Sequence, residues 1–565
     1  MTEERNLPID TQTFEQVRNA GTIYVDKTLY IEKLLSRGRF FFLSRPHRFG
    51  KSLFLSTLQA YFEGRKNLFE GLYIADHEAE LARRQQREPW KASPVLYFDL
   101  NAEHFSQGFE VLENCLEVPL TAMEKRYGNE GVAKTLSGRF KAVIERAYRQ
   151  TGKRVVILVD EYDKPLLETI NDPELNDTNR LLLKAFYEVL KHCDEYIRFA
   201  FLTGVTKFSK TNLFSGANNL KDISLLDNYD AICGFTEQEL TDNFMPEIER
   251  LALAENTNVE ATRQRLKKEY DGYRFSRKGE NVYNPFSLLN VLADSTYNYY
   301  WFETATPSYL VNYLKRTHLF VPDLDKDIKV GVQAVQDFRY NDHDSLIPLL
   351  FQSGYLTIKG VLGNGMIVQL GYPNEEVRFG FLHELLPLYS SFTRINIDIE
   401  ILKLYEFFDA GNLTKVMEHV VTFLAGVRYG NIPKGEKGRP LREQYYQTVL
   451  YAVFRLLGVY AQTEVVCATG QIDMLVATTH HVYIFEFKVN TQGTAQDAIA
   501  QIKEKEYFRL VAPEGRTLHL VGVSFDEKSR NVGEWKEEIE ILTPDGRGGK
   551  ETGTQSVVAA RRKKE

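Results

Sequence analysis

The sequence predicts an α/β protein with an N-terminal domain on a parallel sheet, a mainly helical middle region and a smaller C-terminal α/β domain. Three observations carry this prediction. Short β-rich runs alternate with long helical stretches over residues 1–240, aromatic-rich helical segments fill 241–429, and two strand-like runs separated by four residues lie in 441–543.

In the first region five runs read as strands: RFFFLS (Arg39 to Ser44), PVLYFDL (Pro94 to Leu100), RVVILVD (Arg154 to Asp160), IRFAFLTG (Ile197 to Gly204) and the shorter DISLL (Asp222 to Leu226). RVVILVD is almost unbroken in its apolar character, as expected of a strand covered by helices on both faces. In the middle region a small sheet is expected around YLTIKGVLGNGMIVQLGY (Tyr355 to Tyr372), where GNG signals a hairpin. GNIPKGEKGRP (430–440) has the composition of a linker, and residues 544–565, ending ARRKKE, read as a disordered tail.

Composition excludes several classes. The 565 residues are 43% apolar and 26% charged, which is globular and neither collagenous nor low-complexity. Seventy basic against 77 acidic residues give a net charge of -7, so any nucleic-acid surface must be local. The four cysteines, Cys115, Cys193, Cys233 and Cys467, form no CxxC pair, which argues against a structural zinc site and fits a reducing cytoplasm. No apolar run approaches the ~18 residues needed to span a bilayer. A cytoplasmic protein with no membrane partner is expected.

RFFFLSRPHRFGKSLFLSTLQAYF reads as a strand, a loop and an amphipathic helix, the context of a phosphate-binding loop. Arg48, Phe49, Gly50, Lys51 and Ser52 would form the cradle: backbone N–H groups face the phosphates, Lys51 reaches the β and γ oxygens, and the Ser52 hydroxyl binds Mg²⁺. The strict pattern places glycine where this chain has Arg45, so the first half of the motif is missing. VVILVDEYDKP adds Asp160 and Glu161 at the end of a buried strand, the Walker B arrangement. Asp160 would hold Mg²⁺ through water and Glu161 would polarise the attacking water, although acidic caps of a following helix are the plainer reading of the same residues. Thr203 ends IRFAFLTG where P-loop ATPases often carry a polar sensor, yet a threonine at a strand end is common.

The C-terminal runs QIDMLVA (Gln471 to Ala477) and VYIFEFK (Val482 to Lys488) read as a hairpin. Pairing Ala477 with Val482 sets Asp473 opposite Glu486. Opposed carboxylates are destabilising unless a cation lies between them, and hard oxygen ligands favour Mg²⁺ or Mn²⁺. Lys488 shares the face of Glu486, giving a D…ExK set in which the lysine orients water at a scissile phosphate. The bland reading is an edge hairpin with solvent-facing charges; against it, Glu486 lies inside the apolar run IFEFK. Glu443, on the apolar face of EQYYQTVLYAVFRLLG, is a further candidate acidic ligand. Gln501, Lys505 and Tyr507 on the following helix would face the same site or nucleic-acid phosphates, but a solvated helix face is the favoured reading for these three.

The ordered motifs YVDKTLYI, RPHRFGKSLFLSTLQAYF, VVILVDEYDKP, LTGVTKFSKTNLFSGANNLKDISL, YDGYRFSRKGENVYNPFSLL, LLFQSGYLTIK and GYPNEEVR together resemble a bacterial family of AAA-ATPase-like proteins with a C-terminal PD-(D/E)XK nuclease-superfamily domain. The resemblance implies an AAA-like P-loop domain over 1–240, a restriction-endonuclease-like domain over 441–543, ATP binding and a metal-dependent nuclease. It implies too that RPxRFGKS is the family's own loop, so that Arg45 is a family trait. The family usually has arginine where this chain has Gln471, which removes a phosphate contact and leaves the metal pair.

The function expected is therefore an ATPase coupled to a Mg²⁺-dependent nuclease acting on DNA or RNA, with ATP and nucleic acid as partners and self-assembly left open. The alternative is a nucleotide-switched binding module whose nuclease-like domain is inactive. The -7 charge confines the expected nucleic-acid groove to Lys488, Lys503, Lys505 and Arg509.

Overall fold

The computed structural model describes residues 5–9, 11–129, 131, 133–207, 219–301, 310, 328–336, 346–389, 393–425, 442–458, 462–465, 474–491, 493–504, 516–526, 529, 531–541 and 555–558. The chain divides into two compact units, 1–318 with 327–378, and 319–326 with 379–565.

In the first unit, strands β1 (Phe40–Ser44), β2 (Val95–Asp99), β3 (Val155–Asp160), β4 (Ile197–Gly204) and β5 (Lys221–Asp222) form a parallel sheet in the order β2-β3-β4-β1-β5. Every residue of β1 and β3 is buried, which is why both read as near-continuous apolar runs. Because β4 lies between β1 and β3, the phosphate-loop strand and the acidic strand flank the strand carrying Thr203. Four expected strands form where their sequences indicate. The fifth is shorter than expected: only Lys221 and Asp222 pair, with Phe41 and Phe42, and the chain then turns into a short helix at Asp227–Tyr229. The reason is a distant contact, since Arg45 donates to the carbonyls of Ser224 and Tyr229 and holds the segment in that turn.

The rest of this unit is helical around a second core of Leu240, Phe244, Ile248, Leu266 and Leu288. Thr236 and Glu239 form a reciprocal capping box at the helix Glu237–Ala254, and Asn284 caps the helix Pro285–Asp294. The hairpin expected at GNG is present as β7 (Thr357–Leu362) and β8 (Ile367–Gly371), with Gly363, Asn364 and Gly365 at φ of 57°, 56° and 88°. A four-residue strand β6 (Ile328–Gly331), too short for a periodic signal, pairs with β8.

The second unit holds the helices Arg394–Asp409, Leu413–Ala425 and Arg442–Leu457. Its sheet comprises β9 (Gln462–Val465), β10 (Met474–Ala477), β11 (His481–Val489), β12 (Thr517–Asp526), β13 (Asn531–Ile541) and β14 (Gln555–Val558), in the order β14-β13-β12-β11-β10-β9. β14 falls inside the span expected to be a disordered tail; its β-branched Val557 and Val558 sit in an edge strand paired with Glu534 to Glu537 of β13. The expected linker, 430–440, lies outside the described residues. Among the described residues no helix is long and apolar enough to cross a membrane.

Candidate functional site

The phosphate loop leaves β1 at Ser44 and turns twice through left-handed backbone, at Arg48 (φ 66°) and at Gly50 (φ 88°), before the helix Lys51–Phe62 begins. Gly50 tolerates that conformation without cost, and it aims the first N–H groups of the helix out of the loop. Arg45, at the position where glycine was expected, is 1% exposed and does not face the phosphate side. Its guanidinium donates to the carbonyls of Ser44 and Ser224 (2.8 Å each) and Tyr229 (2.9 Å), and lies 4.2 Å from the ring of Phe275. Burial lowers its pKa to about 10, still well above neutrality. The missing half of the motif is thus replaced by a strut that anchors the loop to the 224–229 turn.

Lys51 is buried. Its ammonium donates to the carbonyls of Arg45 (3.0 Å) and Pro46 (3.1 Å) and pairs with Glu161 at 3.0 Å. Glu161 itself has a φ of 51°, a strained value for a glutamate, so the turn after β3 spends conformational energy to bring that carboxylate to the lysine. Asp160, 2% exposed, accepts from the Thr203 hydroxyl at 2.6 Å, with the Ser52 side chain nearby. Its pKa is raised by burial and by the charge of Glu161. Asp163, fully buried, accepts from the backbone N–H groups of Val205 and Thr206 and from the Thr206 hydroxyl, tying the acidic turn to the end of β4. The helix-cap reading of these carboxylates therefore does not describe their contacts.

Part of this group opens on a cavity of about 860 Å³. Lys51, Ser52 and Glu161 line one part of its wall, while Ile23, Val25, Phe235, Phe286 and Leu289 also line it and make it partly apolar. Arg48, exposed, stacks on the ring of Phe286 at 4.7 Å, and Phe49 lines the same wall. Such a cavity, apolar with a few converging polar groups, suits a ligand with a flat base and an anionic tail.

In the second unit, β10 and β11 pair in the register expected: Ala477 with Val482, Val476 with Tyr483, Leu475 with Ile484 and Met474 with Phe485. Asp473 lies outside the described residues, and so does the side chain of Glu443 in the helix Arg442–Leu457. Glu486 is 3% exposed, and Lys488 stands beside it at 3.4 Å. Gln501 completes the group: its amide N–H donates to Glu486 and its carbonyl accepts from Lys488. The solvated face favoured from sequence is thus wrong for Gln501. Lys505 and Tyr507 lie outside the described residues. Lys503 is paired with Glu538, and Arg509 lies outside the described residues, so of the expected basic groove only Lys488 is seen at the site.

A protein of Azotobacter chroococcum mcd 1, described as an uncharacterized protein in the vnfD 5′ region, is 37% identical to this chain over 535 residues, covering 94% of this chain and 98% of that one. The Predicted AAA-ATPase family matches residues 8–214, and the PD-(D/E)XK nuclease superfamily matches residues 441–535. The chain belongs to this AAA-ATPase-like family with a C-terminal nuclease-superfamily domain. A solved structure, the ORC1 protein of Aeropyrum pernix in complex with DNA, aligns with 63% of this chain and 90% of its own, at 11% identity and a TM-score of 0.23, a likeness too low to carry an argument.

Within this AAA-ATPase-like protein, several site residues carry no signal in the sequence. The apolar cavity wall is assembled from segments near 23–25, 235 and 286–289, which no local pattern connects. Lys27 also lines the cavity, but its three donors are filled by Ala231 O (2.9 Å) and both oxygens of Glu239 (2.7 Å each), so it is a neutralised wall residue. Gly522 pairs with Glu486 across β11 and β12, and a Cβ there would run into the carbonyl of Ala495. Glycine at that position lets the helix Ala495–Glu504 settle on the sheet and bring Gln501 to Glu486.

Proposed function

We propose that this AAA-ATPase-like protein binds and hydrolyses ATP and that its nuclease-superfamily domain cuts nucleic acid in a Mg²⁺-dependent manner under the control of nucleotide state. The observation that carries the reading is the convergence of Lys51, Ser52, Asp160, Glu161 and Thr203 beside the cavity. Ser52 and Asp160 lie close together, a hydroxyl and a carboxylate suited to a hard cation, and they would hold Mg²⁺. At the second site Glu486, with Asp473 and Glu443, supplies the same hard-oxygen chemistry, for Mg²⁺ or Mn²⁺. Bound there, the ion would supply Lewis-acid polarisation of phosphoryl oxygens at both sites.

The residues themselves divide the remaining work. Lys51 exchanges its loop carbonyls and Glu161 for the β and γ oxygens of ATP, where its charge offsets the charge that builds in the transition state. That exchange releases the Glu161 carboxylate, which then orients water in line with the γ-phosphate. Thr203 keeps Asp160 in place. In the nuclease-superfamily domain Lys488 orients water at the scissile phosphate, and Gln501 holds Lys488 and Glu486 in mutual register.

ATP turnover and calorimetric ATP binding test the first half. Lys51→Ala is expected to abolish binding, and Glu161→Gln to retain binding while turnover falls by about 10²- to 10⁴-fold. Unchanged hydrolysis in both variants would take the reaction away from this loop.

A further inference from the structure

The phosphate loop is held from outside its own sheet. Trp301, fully buried, donates its indole N–H to the carbonyl of His47 at 3.1 Å and packs edge-on against Tyr355, ring centres 5.3 Å apart. Gly354, at a φ of 92°, lies so close to Pro46 that a Cβ would come within 2.8 Å of the proline ring. A second contact holds the strand that carries Thr203. Just beyond its end, the N–H of Lys207 donates to Gln352 Oε1 at 2.7 Å, while the amide of Gln352 donates to the carbonyls of Val335 (2.8 Å) and Gln336 (3.1 Å). The short turn 352–355 therefore touches both the loop beside Lys51 and the segment that follows the sensor strand.

The loop has a built-in reason to move. The Lys51 ammonium is bonded to the carbonyls of Arg45 and Pro46, and the next carbonyl along, that of His47, is the one Trp301 binds. When Lys51 turns to a phosphate, two of these carbonyls lose their donor, and the peptide planes around Pro46 and His47 must find new partners or shift. Any shift arrives directly at the indole and at the 352–355 turn.

We propose that Trp301 and the 352–355 turn are positioning residues of the phosphate loop, reading nucleotide occupancy and in return setting ATP affinity. The inference rests on the proposed ATP binding. Neither group touches the nucleotide; each acts through His47, Pro46 or Lys207. Because coupling of binding equilibria is reciprocal, a change that loosens the turn must weaken ATP binding by the factor with which ATP tightens the turn.

Trp301 is one of three tryptophans in the chain, with Trp90 and Trp535, so its emission can be isolated by substitution. The experiment titrates full-length protein with ATPγS and Mg²⁺, following tryptophan emission and calorimetric heat in parallel, for wild type, Trp301→Phe, Gln352→Met and Lys51→Ala. The expected result is a wild-type emission change that saturates with the heat and vanishes in Trp301→Phe. Loss of the indole donor should weaken binding about fivefold, the value of one hydrogen bond. Gln352→Met keeps Trp301 and should weaken binding while reducing the emission change. Heat that saturates normally with no Trp301-dependent emission change, and wild-type affinity in both variants, would overturn the inference and leave ATP binding intact. No heat in wild type would remove ATP binding and this inference with it.

Discussion

Asp271, in the segment YDGYRF, is 3% exposed, and its Oδ1 has no hydrogen-bond partner among the described residues. Burial raises its pKa from 3.8 to about 6, against the lowering effects of the Gly272 N–H and of Lys267. The sign of the consequence follows from linkage. Below the unfolded pKa both states are protonated; as pH rises from about 4 to about 6 the unfolded chain ionises while the folded one holds its proton, so this group's contribution to stability falls, and the loss is complete above the folded pKa. The shift corresponds to a cost of at most about 3 kcal/mol. Asp271→Asn is therefore expected to gain stability relative to wild type as pH rises from about 4.5 to 7.5, by roughly 1–3 kcal/mol, measured as urea midpoints at the two ends of that range. A difference that stays constant with pH would show that Asp271 ionises freely. Single residues differ in how much of their task the sequence reveals. The places of Lys51, Ser52, Asp160 and Glu161 were legible because each stands at a fixed point of a strand-loop or strand-turn pattern, at the ends of β1 and β3. Arg45 was not, because its partners Ser224 and Tyr229 lie 179 and 184 positions away.

Among elements, the hairpin β10–β11 was readable down to its register, since alternation and the short turn leave one pairing that keeps Ile484 and Leu475 on the buried side. The approach of the helix Ala495–Glu504 was not readable. It depends on a single missing methyl at Gly522, a residue that looks like any other interruption in LVGVSF. Gly522→Ala is expected to push that helix outward, costing about 1–3 kcal/mol by overpacking and separating Gln501 from Glu486. Thermal unfolding measures the first effect. A Gly522→Ala variant as stable as wild type would mean that the helix is not seated on that glycine. β5 is the reverse case, where local propensity in DISLL suggested a longer strand and the Arg45 strut overrode it.

At the scale of the molecule, the parallel sheet, the helical and hairpin elements of the first unit, and the β10–β11 hairpin of the second unit's sheet were foreshadowed by the alternation of apolar runs and turn residues. The cavity walls and the 352–355 turn were not, since both are made by segments distant in sequence. The proposed function joins an ATP site in one unit to a nuclease site in the other, and the net charge of -7 requires the nucleic-acid contact to be confined and sensitive to salt. The most direct test is cleavage of labelled single- and double-stranded DNA and RNA by the full-length protein with Mg²⁺ or Mn²⁺, with and without ATP, for wild type, Glu486→Ala and Lys51→Ala. Cutting is expected to disappear in Glu486→Ala and to lose its ATP dependence in Lys51→Ala. Cutting that survives Glu486→Ala, or no cutting of any substrate by a wild-type protein that turns over ATP, would contradict the proposed function.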